Sequence, residues 1–297
     1  MHAKIVAWGI LLLGVAAGFS IGYARMAGRA DEATPEIAAP PHTAQIVAAT
    51  SSPSSSIAST TESRASPPAA TSTILLPIIV YHVVRPSYPT DSEAIKEEAV
   101  TPKIFDEEMN WLKTAGYTVV GFSDLENYFA NSTPLPPHPI ILSFDDGWSD
   151  QYEYAFPILQ KYGYRAEFFV FTNGINTKSF LTWDELKKMQ AAGMTIGSHS
   201  ESHPYLTRIS DPKKLWAEIY GSKEILEAHL DVPVREFAYP FGLYNASTTA
   251  DIEKAGYAVA RSDSYGLMQS PDKHYWLPVV NAPITLLSFE AHFPDTH

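Results

Sequence analysis

Ile140-Ile141-Leu142-Ser143-Phe144 runs without interruption into Asp145-Asp146-Gly147. An apolar run of this length, continuous rather than alternating, is what a strand needs when helices cover both faces of a parallel sheet. Six more short runs share its character: Ile78–Tyr81, Tyr117–Val120, Glu167–Phe171, Thr195–Ser198, Phe237–Tyr239 and Tyr257–Ala260. Helical patterns separate them at Lys103–Ala115, Tyr152–Tyr162, Thr182–Ala192 and Pro212–His229, the third opened by a capping box of Thr182 with Glu185. About seven strand–helix units in series predict one α/β barrel, whose chemistry gathers at the C-terminal strand ends.

The rest of the chain frames that domain. Among 297 residues, 45% hydrophobic and 12% aromatic content is enough to fill a sizeable core, and the absence of cysteine removes disulfides and thiolate chemistry. Acidic residues outnumber basic ones 33 to 21, a net charge of -12 with no basic cluster, which excludes a phosphate-backbone partner and so nucleic acid. Ile5–Tyr23 is a nearly unbroken apolar run after Lys4, close to the roughly 20 residues of a membrane span. Residues 1–30 read as a signal anchor or signal peptide. Residues 31–73 are rich in Ala, Ser, Thr and Pro, too poor in apolar surface to offset their ordering entropy, and read as a flexible linker. The expectation is an extracytoplasmic catalytic domain over 74–297, monomeric, secreted or held at a membrane.

Two motifs sit where barrel chemistry belongs. Asp145 and Asp146 directly follow a buried strand, where two adjacent carboxylates are costly unless something compensates their charge; a D-D-G elsewhere is an ordinary turn. Thr195-Ile196-Gly197-Ser198 leads into His199-Ser200-Glu201-Ser202-His203. Histidines at i and i+4 share one face of a helical turn, so both imidazoles reach one ion, and Glu201 at i+2 points off that face. Two imidazoles and the Asp146 carboxylate form a ligand set for a divalent metal, Zn2+ first, with Co2+, Ni2+ or Fe2+ fitting similar geometry.

Taken in order, S-F-D-D-G, H-S-x-x-H and the later F-A-Y-P-F-G (Phe237 to Gly242) resemble the signature of the polysaccharide deacetylases of the NodB-homology type, carbohydrate esterase family 4. The resemblance spans roughly residues 77 to 290 and implies a distorted (β/α)7 barrel. It also implies Asp145 as general base, Asp146, His199 and His203 as metal ligands, the backbone N–H of Phe241 as oxyanion donor, and Tyr239, Pro240 and Phe241 as walls of an acetyl pocket.

The chain departs from that pattern twice. Ala238 stands where many members carry an Arg that orients the base, leaving Arg165, Arg235 and Asp263 as candidates to support the site. No C-terminal strand ends in the His that would protonate a leaving amine; His229, His274 and His292 lie elsewhere. Pro77-Ile78-Ile79-Val80-Tyr81-His82, at the other end of the domain, is such a strand. First and last strands of a closed barrel are neighbours, so His82 is the candidate general acid. The P-x-x-x-Y-H start resembles the branch containing poly-N-acetylglucosamine deacetylases, with peptidoglycan and chitin-like chains as other substrates. An O-acetyl polysaccharide esterase and an inactive carbohydrate-binding relative are the competing readings.

Overall fold

The computed structural model describes residues 73–293. The expected anchor at 1–30, and all of the 31–73 linker but its last residue, lie outside them. No helix among the described residues is long and apolar enough to cross a membrane.

Seven strands form a closed parallel barrel: β1 (Ile78–Tyr81), β2 (Pro139–Phe144), β3 (Glu167–Val170), β4 (Thr195–Ser198), β5 (Glu236–Ala238), β6 (Val259–Tyr265) and β7 (Leu277–Asn281). Each pairs with the next, and β7 pairs with β1 to close the ring. This is the expected distorted (β/α)7 barrel, with one exchange of strands. The run Tyr117–Val120, expected as a stave, forms only the short strand Thr118–Val119, which pairs with Pro139 and Ile140 at the foot of β2. The stave in its place is β7, whose Pro278 breaks the apolar run in the sequence. Pro cannot donate to a ladder and is confined to edges and bulges; here the register between β6 and β7 shifts beside it, between Arg261 and Tyr265.

Side chains alternate across each strand. Ile78, Val80, Ile141, Phe169, Ala238, Val259, Leu277 and Val279 cluster together, separately from the Ile79, Tyr81, Leu142, Phe144, Phe168, Ile196 and Phe237 cluster that packs under the helices. The first set fills the barrel interior. Gly197 on β4 is required there, because a Cβ would sit 2.6 Å from the Phe169 ring.

The capping box on Thr182 forms as expected and opens the helix Trp183–Ala191. Two other expected helices are interrupted by π-turns, at Gln151–Ala155 before Phe156–Tyr162 and at Ala217–Gly221 between Pro212–Trp216 and Ser222–Leu230. Such bulges recur at functional sites, and both of these contact the loops that carry the site.

Candidate active site

Register places the site residues. β1 and β2 are aligned with Tyr81 opposite Phe144, so one step further brings His82 beside Asp145. Both continue the inward-facing phase of their strands. His82 Nε2 and Asp145 Oδ2 are 3.8 Å apart, too far for a direct hydrogen bond. On the far side Ser198 pairs with Phe237, so His199 lies next to Ala238, and its Nδ1 donates to the Ala238 carbonyl at 2.7 Å. That bond leaves His199 Nε2 as the lone-pair nitrogen, 3.7 Å from Asp146 Oδ1 and 4.0 Å from Asp145 Oδ2.

Consecutive residues of a strand face opposite ways, so two adjacent carboxylates meet one site only if the backbone leaves strand geometry. Asp146 does so, at φ 68°. Its Oδ1 lies 3.4 Å from His203 Nε2, and Oδ2 accepts from the Trp148 indole at 3.0 Å. Four non-glycine residues of the site have left-handed backbones: Asp146, Ser200 (φ 70°), His203 (φ 56°) and Phe241 (φ 59°). Backbone strain concentrated this way is characteristic of functional sites.

The two histidines are not on a helical turn, as their spacing suggested. Residues 199–205 form an irregular loop in which left-handed Ser200 and His203 fold the chain back, bringing the rings to 4.7 Å between centroids. The His203 N–H donates to Ser200 Oγ at 3.0 Å. Glu218, on the π-turn at Ala217–Gly221, holds the loop from outside: its carboxylate accepts from the N–H groups of Glu201 (3.1 Å) and Ser202 (2.8 Å) and from Ser202 Oγ (2.5 Å). The Ile219 carbonyl in that turn is satisfied by Tyr257 and Ser222 hydroxyls, both at 2.9 Å.

Electrostatics suit the triad to a cation. Burial, with His203 adding to it, pushes His199 down to about 3, and burial also lowers His203, so both imidazoles are neutral. Burial would raise Asp146, but His82, His199, His203 and the Trp148 hydrogen bond outweigh it and hold the carboxylate below its ordinary range. The donor atoms of Asp146, His199 and His203 lie within 4.8 Å of one another, making a possible metal site. Neutral nitrogen donors, an ionised carboxylate and a hydrogen bond fixing one ring's tautomer fit a divalent ion bound on one side by protein.

Asp145 has an arginine partner, on a different strand from the expected one. Arg261 on β6 is the register partner of Ala238 on β5, and its Nη2 donates to Asp145 Oδ1. The side chain is completely buried, with its guanidinium 4.8 Å above the Phe169 ring and Nη1 3.6 Å from Asp263 Oδ1. Burial lowers its pKa to about 10, still far above neutrality. Asp263 therefore stands at the site through Arg261. It also packs against left-handed Gly242, where a Cβ would lie 2.5 Å from the Asp263 backbone nitrogen.

Arg165 and Arg235, the two arginines expected to support the site, do not reach it. Each sits at the N-terminal end of a stave, β3 and β5, and ion-pairs Asp124 and Glu126 respectively at the opposite mouth of the barrel. Tyr239 is also displaced from its expected place. It follows Phe237 on the outward phase, is 1% exposed, and packs its ring on Phe237 and Tyr244 among the helices. Pro240 is buried, whereas Phe241 is 43% exposed, with its ring 4.6 Å from His203 and stacked on Tyr205 at 4.0 Å. His229, His274 and His292 bond to the nearby carbonyls of Ile225, Pro271 and Ser288.

The polysaccharide deacetylase family profile matches residues 132–260. That stretch contains Asp145, Asp146, His199 and His203, the four motif residues gathered at one end of the barrel. Over residues 132–260 the chain carries a polysaccharide deacetylase domain. His82 and Arg261 fall outside the matched stretch. The Bacillus subtilis (strain 168) protein YxkH is 29% identical over 182 residues, 61% of this chain and 62% of that one. The poly-beta-1,6-N-acetyl-D-glucosamine N-deacetylase of Staphylococcus aureus (strain MRSA252) is 25% identical over 202 residues, 64% and 69% of the two chains. The deacetylase domain here thus spans less than two thirds of the length of the first of these relatives. Among solved structures, Streptococcus pyogenes deacetylase PplD in complex with acetate superposes with a TM-score of 0.69 at 25% identity, covering 74% of this chain and 98% of that one.

Proposed function

We propose that the chain is a metal-dependent hydrolase that removes N-acetyl groups from an extracytoplasmic amino-sugar polysaccharide. The observation that carries the reading is the pairing of His82 with Asp145 across adjacent strand ends, beside the triad Asp146–His199–His203. When bound, a divalent ion supplies Lewis acidity toward an acetyl carbonyl and lowers the pKa of water at the site. Asp145, held by Arg261, accepts the proton of the attacking water. His82, protonated, gives a proton to the amide nitrogen as the C–N bond breaks, so that acetate and a free amine leave. The left-handed backbone of Phe241 presents its N–H to the developing oxyanion.

An acid at this place favours amides over esters. An amine is a poor leaving group without a proton, whereas an alcohol departing from an acetyl ester depends on it less. The Staphylococcus relative acts on poly-β-1,6-N-acetylglucosamine by its name, and the P-x-x-x-Y-H start of this chain supports the same substrate class, ahead of peptidoglycan or chitin-like chains. Zinc is the proposed ion. Export and tethering rest on the apolar run Ile5–Tyr23 and the linker after it.

The test is acetate release by the full chain from defined N-acetylated and O-acetylated glycans, before and after chelation and after returning zinc, cobalt or nickel. The proposal expects chelator-sensitive release from N-acetylglucosamine oligomers. Release only from O-acetylated glycans would make the protein an esterase, and release from none of them would make it a carbohydrate-binding relative.

A further inference from the structure

Gln151 opens the π-turn that follows the Asp145-Asp146-Gly147 loop, and it is completely buried. Its side-chain Nε2 donates to two main-chain carbonyls, that of His82 at 2.8 Å and that of Asp145 at 2.5 Å. Both partners only accept, so the amide nitrogen must face them. The preceding residue grips the same segment: the Val84 N–H donates to Asp150 Oδ1 at 3.1 Å, and Arg85 Nε lies 3.9 Å from Asp150 Oδ2.

The ladder between β1 and β2 ends with the Asp145 N–H on the Tyr81 carbonyl at 2.9 Å. Past that rung the two chains diverge, one toward Val83–Val84 and the other into the left-handed turn at Asp146. His82 and Asp145 therefore sit just beyond the regular sheet, where backbone ties other than the ladder set their separation. A shift of about 1 Å between reacting groups costs on the order of a hundredfold in rate.

We propose that Gln151 is a positioning residue that sets the acid–base separation by pinning the main chain of His82 to that of Asp145, with Asp150 as a second grip on the same strand end. This rests on the reading of His82 as general acid. A purely structural glutamine would satisfy the same two carbonyls, so the distinction must come from the chemistry lost with it.

Gln151→Met keeps the volume and removes the donors. It is compared with wild type and His82→Ala on an N-acetylglucosamine oligomer and on 4-nitrophenyl acetate, whose leaving group departs without a proton. The expected result for Gln151→Met is a 10- to 100-fold fall in kcat on the oligomer, with unchanged hydrolysis of the aryl ester and unchanged zinc content. His82→Ala gives the same selective pattern, more strongly. An equal fall on both substrates, or no fall on either, while His82→Ala remains selective would overturn the proposal and leave the reading of His82 intact. Loss of selectivity in His82→Ala itself would overturn that reading, and the proposal with it. If Gln151→Met does not fold, Asp150→Ala releases the outer grip and must show the same selectivity; equal losses there overturn the proposal.

Discussion

Arg261 ion-pairs Asp145 from a strand on which the motif pattern places no arginine. Its register partner is Ala238, the position at which the resemblance led to an expected arginine. The two side chains point into the same layer of the barrel interior, so an arginine on either strand enters at the same height. In this chain the charge that meets Asp145 enters from β6. Removing one partner of a buried ion pair strands the other and costs about 3–5 kcal/mol. Arg261→Met is therefore expected to lower the melting temperature and to reduce deacetylation at least 100-fold. Adding Ala238→Arg to Arg261→Ala should recover at least tenfold of the activity lost by Arg261→Ala alone. A double variant no better than the single one would show that the two strands do not share this layer.

His82→Ala should reduce turnover on an N-acetylated oligomer by about 10²- to 10⁴-fold, the range for a lost general acid, with one zinc retained per chain. His292→Ala should have no effect, since its ring is bonded to the Ser288 carbonyl at the end of the helix Leu286–Glu290. The reverse pattern in a side-by-side assay would move the acid to the C-terminus.

Glu218 holds the backbone of the histidine loop with three hydrogen bonds to residues 201 and 202, and so would act on a metal at His199 and His203 through that loop. Groups that support metal ligands in this way are worth about 10- to 100-fold in affinity. Glu218→Gln replaces two charge-assisted acceptors with one neutral acceptor and should weaken zinc binding by about tenfold, read by competition with a fluorescent chelator. Zinc affinity equal to wild type would reduce Glu218 to a surface cap.

The pH dependence of stability has a traceable source in Glu108. This residue is fully buried on the helix Pro102–Thr114 and accepts the Tyr81 hydroxyl at 2.9 Å, directly beneath the strand end that carries His82. Burial pushes its pKa from 4.5 up to about 8. The folded protein therefore keeps a proton that the unfolded chain releases near 4.5. The resulting stabilisation is complete below that pH and is lost as pH rises through about 8. Glu108→Gln keeps the acceptor for Tyr81 without the ionisation, so its melting temperature should decline less than that of wild type between about pH 6 and pH 9. Parallel curves would assign the pH dependence to other buried acids.

Legibility followed locality. Ile78–Tyr81 and Thr195–Ser198 were readable to their last residues because a buried parallel strand is a continuous apolar run, and the motif residues directly follow such ends. Leu277–Asn281 was hidden by Pro278, which argues against a central strand unless a bulge absorbs it, and bulges leave no mark in one sequence. The Thr118–Val119 run looked like a stave because periodicity does not reveal how far a strand is paired. The histidine spacing suggested a helix, yet left-handed Ser200 and His203 achieve the same convergence in a loop. Arg261 was out of reach for a different reason. It lies in the R-S-D-S-Y stretch beside Asp263, but its partner Asp145 is three staves away around the closed barrel and 116 positions away in sequence. Tyr239 was assigned to the pocket from its motif, whereas strand alternation from Phe237 turns it outward.

The central claim is that Asp145 is the base of a zinc-supported N-deacetylase. It is tested most directly by acetate release from a β-1,6-linked N-acetylglucosamine oligomer, comparing the full chain with its Asp145→Asn variant, both loaded with one equivalent of zinc. The account predicts release by wild type and at least 100-fold slower release by Asp145→Asn at equal zinc content. Equal rates from the two proteins, or no release by wild type, would contradict it.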